Sequence, residues 1–527
     1  MNKYVLAIDH GTSGLKTSII SMHGKVMAFE FEKTPIRFFP GGGAEQDPQD
    51  WWNALIKASQ RVVARNVVPT EAIVAICVSS TFSSTVAVDN DGNHLMNSIT
   101  WMDSRGAPYI SRLMGGFPSL EGYNLFKIAQ WIPKTAGGPT LSGKDDIAHV
   151  LLIKNEYPHI YARTHKFLPS KDYLNLKLTG EFASSCDAIH LFWVTNTRDC
   201  DHIFYDDALI KMLGIDKNKL PVLKRSIDIL GRVKPAVARA IGIGENVQVV
   251  MGSADHQAAL IGSGAVRDYE GHIYIGTSSW VQCIVPFKKT DMFHSIASLP
   301  SAIPGKYQSV NEQDIAGGML NFLIDNILYY KNRLLKEEIP ENIYDELNEI
   351  AAQVPAGSHK LIVTPWLNGE RTPVDDNTVR AGIYNISKTT TQDDIVRAFF
   401  EGVAYNTRWS FQYVERFVGR RLDPLNIIGG GGKSNIWCQI FADVLNRTIR
   451  QVQDPMQANG RGAAFIASVA LEFTTFDEIP SLIKYTNVFQ PDPANRKIYN
   501  ELFREFVNIY RNNKSIYRRL NKSLNRA

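Results

Sequence analysis

Along this chain, short apolar runs end in glycine-rich turns, the pattern of strands joined in a meander. The first run is Tyr4-Val-Leu-Ala-Ile8, closed by Asp9-His-Gly-Thr-Ser-Gly14; a second run over 16–21 ends at His23-Gly24. The same grammar returns later. Residues 247–251 lead into Gly252-Ser-Ala-Asp-His-Gln257, and Gly271-His-Ile-Tyr-Ile-Gly276 is followed by Thr277-Ser278. Gly-Thr-Ser thus stands at 11–13 and at 276–278, each time at the end of an apolar strand. The shared context predicts an internal duplication. The connection 231–246, with Gly242, Gly244 and Asn246, is the expected boundary, dividing the chain into 1–245 and 246–527.

Between the strand sets, amphipathic spacing predicts helices over 51–63, 145–155 and 393–414. One start is well signed in Asp47-Pro48-Gln49-Asp50-Trp51-Trp52. Asp47 suits the N-cap, Pro48 the first helical position and Asp50 the positive end of the dipole. Strands and helices alternating in both halves predict an α/β protein of two lobes.

Composition narrows the class. The 527 residues are 44% hydrophobic, 21% charged and 10% aromatic, with 38 Gly and 24 Pro, which excludes disordered and collagen-like chains. The length suits roughly two to four domains. Cys77, Cys186, Cys200, Cys283 and Cys438 form no C-x-x-C pair, against a disulfide framework or zinc site and for a reducing compartment. The net charge of +4 is local: removing the six basic residues of 511–527 (Arg511, Lys514, Arg518, Arg519, Lys522, Arg526) leaves about −2 for the body. A solvated helix end is the expected reading of that tail, and nothing else suggests a nucleic-acid protein. No stretch approaches the ~20 apolar residues of a membrane span, and the N-terminus is charged too early for a signal peptide. A soluble, cytoplasmic protein is expected.

Three turns carry candidate chemistry. In Asp9-His-Gly-Thr-Ser-Gly-Leu-Lys16, Gly11 and Gly14 permit the turn, Thr12 and Ser13 offer O–H and N–H donors, and Lys16 adds charge for phosphate. Asp9 would repel phosphate unless a divalent cation lies between them, which suits a metal–nucleotide complex. A structural Asx-turn is the alternative, weakened by the second Gly-Thr-Ser turn. Gly429-Gly-Gly-Gly-Lys433-Ser434 follows the apolar 425–428 and precedes a helical 436–445. It imitates a P-loop, but Ile427 stands where the first glycine is required. Close backbone approach to a nucleotide is the favoured reading. Asp255, just after the 247–251 strand, is placed to accept a hydroxyl proton, and also to cap the following helix.

Trp101-Met-Asp103-Ser-Arg105 sets a carboxylate beside an aromatic, which suits a polyhydroxylated ligand; an Asp–Arg pair is the alternative. The twelve His show no H-E-x-x-H spacing, and no Gly-x-Ser-x-Gly elbow occurs, so zinc and nucleophilic hydrolase chemistry lack support.

Taken in order, these blocks resemble the FGGY carbohydrate kinases, within the sugar kinase–actin–Hsp70 superfamily, from Tyr4 to about residue 490. Further blocks carrying the likeness are Glu45-Gln-Asp-Pro48, Phe167-Leu-Pro-Ser-Lys-Asp-Tyr-Leu174 with Leu178-Thr-Gly-Glu181, Asn368-Gly-Glu-Arg-Thr-Pro373 and Glu401-Gly-Val-Ala404. Those at 167–181 and 368–373 are most similar to xylulokinases.

The resemblance implies an actin-like, ribonuclease H-like α/β fold with an ATP cleft between duplicated domains. It implies ATP-dependent phosphorylation of a sugar hydroxyl, with Asp255 as proton acceptor and Asp9 positioning Mg²⁺. Thr12, Ser13 and Thr277 would contact phosphates, with Gly317 and Gly318 near the nucleotide, and Gly430, Gly431 and Asn435 would line the adenosine site. Asp103 and Asp255 would hold sugar hydroxyls. The expected partners are ATP and a small sugar, with no membrane or nucleic acid; the assembly, a homodimer included, stays open.

Two departures stand out. Xylulokinases carry Gln-Met-His-Gly and glycerol kinases Gln-Arg-Glu-Thr where this chain has Thr81-Phe82-Ser83-Ser84, residues that can still hydrogen-bond and pack a sugar. Asn385 stands where the family has Gly. A ketopentose such as D-xylulose is the expected substrate. Other ketoses, polyols or sugar acids are alternatives, as are a non-catalytic nucleotide- or sugar-binding protein and an Hsp70-like ATPase, which would need an additional peptide-binding domain.

Overall fold

The computed structural model describes residues 2–329 and 339–521. Two sheets repeat one topology. In the first, Tyr4–Gly11, Gly14–Ser21 and Val26–Lys33 form an antiparallel meander; Ile73–Ser80 and then Gln248–Ala254 join Tyr4–Gly11 in parallel, and Ile229–Arg232 closes the edge antiparallel. In the second, Gly271–Ile275, Ser279–Val285 and Tyr307–Val310 form the meander. Leu425–Ile428 and Ile449–Val452 add in parallel, and Tyr485–Phe489 closes that edge antiparallel. The duplication read from two tripeptides is therefore a duplication of the whole sheet. The first sheet runs past residue 245 to Ala254, because its last parallel strand arrives only after the glycine-rich connection.

The first strand shows why apolar residues run unbroken there. Leu6 and Ile8 pack on one face with Trp51 and Leu55 of helix Pro48–Ala64, while Val5 and Ala7 pack on the other with Ala259, Ala463 and Ile466. A strand covered on both faces has no polar side to alternate with. Helix Pro48–Ala64 begins as its sequence predicts: the Asp47 carboxylate accepts from the Gln49 amide at 2.8 Å, with Pro48 at the first turn. Expected helices over 145–155, 393–414 and 436–445 appear as Asp146–Glu156, Gln392–Val418 and Asn435–Leu445.

Helices Asp255–Ser263 and Ala458–Ala470 cross between the sheets at Gly262 and Gly462. A Cβ on Gly462 would lie 1.9 Å from the Ala258 carbonyl oxygen, and one on Gly262 would lie 1.8 Å from that of Ala458. Backbone blocks both positions, so Gly462→Ala must separate the helices. The expected cost is about 1–3 kcal/mol, read as a lower thermal midpoint; an unchanged midpoint would show that the crossing tolerates separation.

Outside the duplicated core, Arg37–Phe39, Gly43–Gln46, Ser84–Val88, Ser98–Thr100 and Lys166–Pro169 form a five-stranded sheet, with Ser83 just before one of its strands and Asp103 just after another. Helix Arg496–Asn521 buries Tyr499, Leu502, Phe503 and Phe506, while Arg511, Lys514, Arg518 and Arg519 are exposed at its end, as a solvated helix end requires. Lys522 and Arg526 lie outside the described residues. Asn385 takes φ +70°, the left-handed region where Asn is the usual substitute for Gly, and its amide donates to the Lys360 carbonyl. Among the described residues, no helix is long and apolar enough to cross a membrane.

Candidate active site

Asp9 ends the first strand against the crossing helix of the other half. Its carboxylate accepts from the Asn459 amide at 3.3 Å and stands 3.9 Å from the Lys16 ammonium, which also donates to the Met456 carbonyl at 3.0 Å. Burial pushes the Asp9 carboxyl above its ordinary value; Lys16 opposes the rise and Asp255 adds to it. Two carboxylates thus share one region and feel each other's charge. Tyr274, stacked on Trp280 at 4.0 Å, lies in the field of both.

Next to Asp9, the Thr12 hydroxyl accepts from the Trp101 indole N–H at 3.0 Å, and the Thr12 carbonyl accepts from Gln46 at 3.0 Å. The indole occupies a lone pair and leaves the Thr12 proton free to donate. The Ser13 carbonyl accepts from the Thr34 amide at 3.1 Å, which pins the turn, and the Ser13 side chain is exposed.

Asp255 opens helix Asp255–Ser263, where the helix dipole favours a carboxylate. Its Oδ1 accepts from the His256 amide at 2.7 Å; Oδ2 makes no hydrogen bond among the described residues, and the side chain is 25% exposed. Phe82 packs against the His256 ring at 4.8 Å between centroids, so the Thr81–Ser83 segment borders this carboxylate. Ser83 donates to the Lys144 carbonyl at 2.7 Å.

The residues expected on the nucleotide side lie close to one another in part. The Gly317 amide donates to the Gly276 carbonyl at 2.8 Å and the Gly318 amide to that of Thr277 at 3.2 Å, joining both glycines to the second Gly-Thr-Ser turn. Behind them, 430–433 forms one tight turn: a Cβ on Gly430 would meet nothing within 4 Å, whereas one on Gly431 would strike Ile275. One face of Gly430 is therefore open to a ligand. Asn435 accepts from Gln451 at 3.1 Å and from Asn487 at 3.3 Å.

Asp103 behaves differently. It is completely buried; Oδ1 accepts from the Arg105 amide and guanidinium, and Oδ2 from the Ala44 amide and the same guanidinium. Arg105 continues to Glu45 at 2.6 Å. The Asp–Arg pairing is thus realised, as a buried network that holds the turn bearing Trp101.

Sequence reading missed a charged group in electrostatic range of Asp255. Arg371 bonds Glu312 and, at 2.7 Å, Asp314. Asp255 acts electrostatically on Glu312, whose carboxyl is pushed up mainly by burial. Lys144 faces this group: burial and Arg371 lower its ammonium, Asp314 and Glu312 oppose, and it forms no ion pair among the described residues. Arg371 lies in the Asn368–Pro373 block that carries part of the family likeness; Glu312, Asp314, Lys144 and Asn459 carried no local signal.

A carboxylate at a helix start, in electrostatic range of a second one beside the first Gly-Thr-Ser turn, suits phosphoryl transfer to an alcohol. Residues 4–262 match the N-terminal domain of the FGGY family of carbohydrate kinases, and residues 271–471 match its C-terminal domain. The chain belongs to the FGGY carbohydrate kinases. It is therefore an ATP-dependent phosphotransferase with an alcohol group as acceptor. Xylulose kinase of Staphylococcus epidermidis is 27% identical over 526 residues, covering 98% of each chain. Two solved structures share the fold. The gluconate kinase of Lactobacillus acidophilus has a TM-score of 0.85 at 23% identity, covering 99% of this chain and 100% of its own. The ligand-bound xylulose kinase of the same organism has 0.84 at 24%, covering 98% and 100%. In this FGGY kinase the two matched domains leave 263–270 between them, so strand Gln248–Ala254 and nearly all of helix Asp255–Ser263 fall within the N-terminal match.

Proposed function

We propose that this kinase transfers the γ-phosphate of ATP to a hydroxyl of a ketopentose, D-xylulose foremost. The observation carrying this reading is Asp255: a carboxylate with one unbonded oxygen, beside Phe82, in electrostatic range of Asp9. Its free oxygen accepts the proton of the sugar hydroxyl and aims that oxygen at phosphorus. Thr12, Ser13, the Gly11 turn and Thr277 supply O–H and N–H donors to the phosphates, with Lys16 as the nearby cation. Gly317, Gly318, Gly430, Gly431 and Asn435 line the nucleotide. Thr81, Phe82 and Ser83 border the sugar, and Asp103 acts on it by bracing the Trp101 turn. Asp9, a buried carboxylate in electrostatic range of Asp255, would hold a divalent ion. Mg²⁺ there would neutralise charge on the transferring phosphate. Closure of the halves excludes water, which competes with the sugar hydroxyl.

The charge of the sugar side favours a neutral acceptor. Among the described residues, Arg371 is bound to both Glu312 and Asp314, Lys144 lies in the field of both, and Asp255 lies in that of Glu312. Hydroxyls can donate to such carboxylates, whereas a sugar acid would add a further negative charge. ADP release measured with xylulose, ribulose, gluconate, glycerol, erythritol and pentitols tests the reading. The highest kcat/KM is expected with xylulose. Gluconate as the best acceptor would overturn the ketopentose assignment, and no turnover with any of these acceptors would count against the proposed reaction.

A further inference from the structure

The strand leading to Asp255 is not regular. Paired with Ile73–Ser80, it matches Val250 to Cys77 and then Ser253 to Ser79, so Met251 and Gly252 together oppose Val78. This is a β-bulge immediately before the proposed base, and such bulges bend the strand and re-aim the side chains beyond them. Gly252 sits at φ +71°, and a Cβ there would lie 2.0 Å from the Val78 carbonyl oxygen. The bulge takes the Met251 carbonyl out of the ladder, deep in the core.

Three buried side chains answer for the displaced backbone. Lys171 Nζ donates to the Met251 carbonyl at 3.2 Å and Asn175 Nδ2 donates to it at 2.9 Å. Asp187 Oδ2 accepts from the Ala254 amide at 2.8 Å, one residue before Asp255, while its Oδ1 accepts from the Ser226 hydroxyl at 2.8 Å. The Ser226 carbonyl in turn accepts from the Gly252 amide at 3.0 Å. Lys171 is wholly buried, paired with Asp172, which also accepts from Ser184. Burying such a pair costs several kcal/mol per ion, and apolar residues of similar volume often serve stability equally well or better. A buried ammonium on a freed carbonyl therefore points to a role beyond stability.

We propose that Lys171, Asn175 and Asp187 form a clamp on the Met251–Gly252 bulge that aims Asp255, making them positioning residues for phosphoryl transfer. The proposal rests on Asp255 being the proton acceptor. It assigns work to the Phe167–Leu174 block, whose lysine and aspartate bond each other, the Met251 carbonyl and Ser184. Displacement of a reacting group by about 1 Å costs on the order of 100-fold in rate, and the clamp sets the backbone on which the Asp255 side chain stands.

The test compares Asp187→Ala, Asp187→Asn, Asn175→Ala and the double variant Lys171→Met with Asp172→Leu, in the full chain. Turnover, KM for ATP and thermal midpoint are measured for each. Asp187→Ala and Asn175→Ala are expected to lower kcat about 10- to 100-fold with KM for ATP unchanged. Asp187→Asn keeps an oxygen acceptor for the Ala254 amide and is expected to recover most of the turnover. The double variant is expected to keep or raise its midpoint while losing turnover, a divergence that a merely structural ion pair would not produce. In an Asp255→Ala background, Asp187→Ala is expected to cost nothing further, since the group being aimed is gone. Wild-type kcat in Asp187→Ala or in the double variant would overturn the clamp and leave the kinase reading intact. An additive loss in the Asp255→Ala background would likewise overturn the clamp and leave the kinase reading intact, whereas a wild type without turnover on any acceptor would remove the basis of both.

Discussion

Asp255→Asn is expected to bind ATP as the parent does and to lose between about 100- and 10,000-fold in kcat, the range that one general base supplies. Asparagine preserves the volume and one oxygen that can accept from the His256 amide, now at 2.7 Å, so the helix start survives. It cannot take a proton. Nucleotide affinity, measured by titration of ATP without sugar, should be unchanged, because the Gly430–Lys433 turn and Thr277 are untouched. Parent-like turnover in this variant would show that another group takes the hydroxyl proton.

Asp9→Asn should have the next largest effect. Removing this negative charge is expected to raise the Mg²⁺ concentration for half-maximal rate at least ~10-fold and to lower kcat on the order of 100- to 1,000-fold. The variant keeps the Asn459 contact within reach, so its thermal midpoint should hold. The pH response gives a second handle. Burial raises the Asp9 carboxyl, with Asp255 adding to that rise against Lys16. The ionised form is therefore lost, as pH falls, at a higher pH than for an ordinary carboxylate. Protons and Mg²⁺ compete for it, so high Mg²⁺ should move the acidic limb of the rate profile to lower pH. Insensitivity of that limb to Mg²⁺ would separate Asp9 from the metal.

The two predictions differ in how their residues could be found. Asp9 and Asp255 both follow apolar strands and stand in short strings with turn-forming neighbours, so their type and setting are local. The same holds for Thr12, Ser13, Thr277 and the Gly429–Gly432 run, each of which stands in a turn directly after an apolar strand. Helix Pro48–Ala64 was legible to its cap, since Asp47, Pro48 and Asp50 act within one turn.

Asp103 was legible as chemistry and ambiguous as function. Its neighbour Arg105 satisfies it from two residues away, and the decisive further partners, Ala44 and Glu45, lie about 60 positions earlier. The connection 231–246 reads as a boundary because Gly242 and Gly244 break the chain locally. The strand Gln248–Ala254 nonetheless pairs with Ile73–Ser80, a contact that spacing cannot announce.

Local order in the chain was enough to specify the strand ends, the helix caps, the repeated half and the kinds of donors and carboxylates set at each turn, because these depend on neighbours within a few residues. Folding alone selected which of them meet. Lys16 reaches Met456 and Asn459 reaches Asp9 across some 440 positions or more, and Arg371 joins Glu312 and Asp314 in the field of Lys144. The bulge before Asp255 is held by side chains from about 65 to 80 residues away. Such pairings follow from how the sheets and crossing helices pack, and packing is a property of the whole chain rather than of any segment.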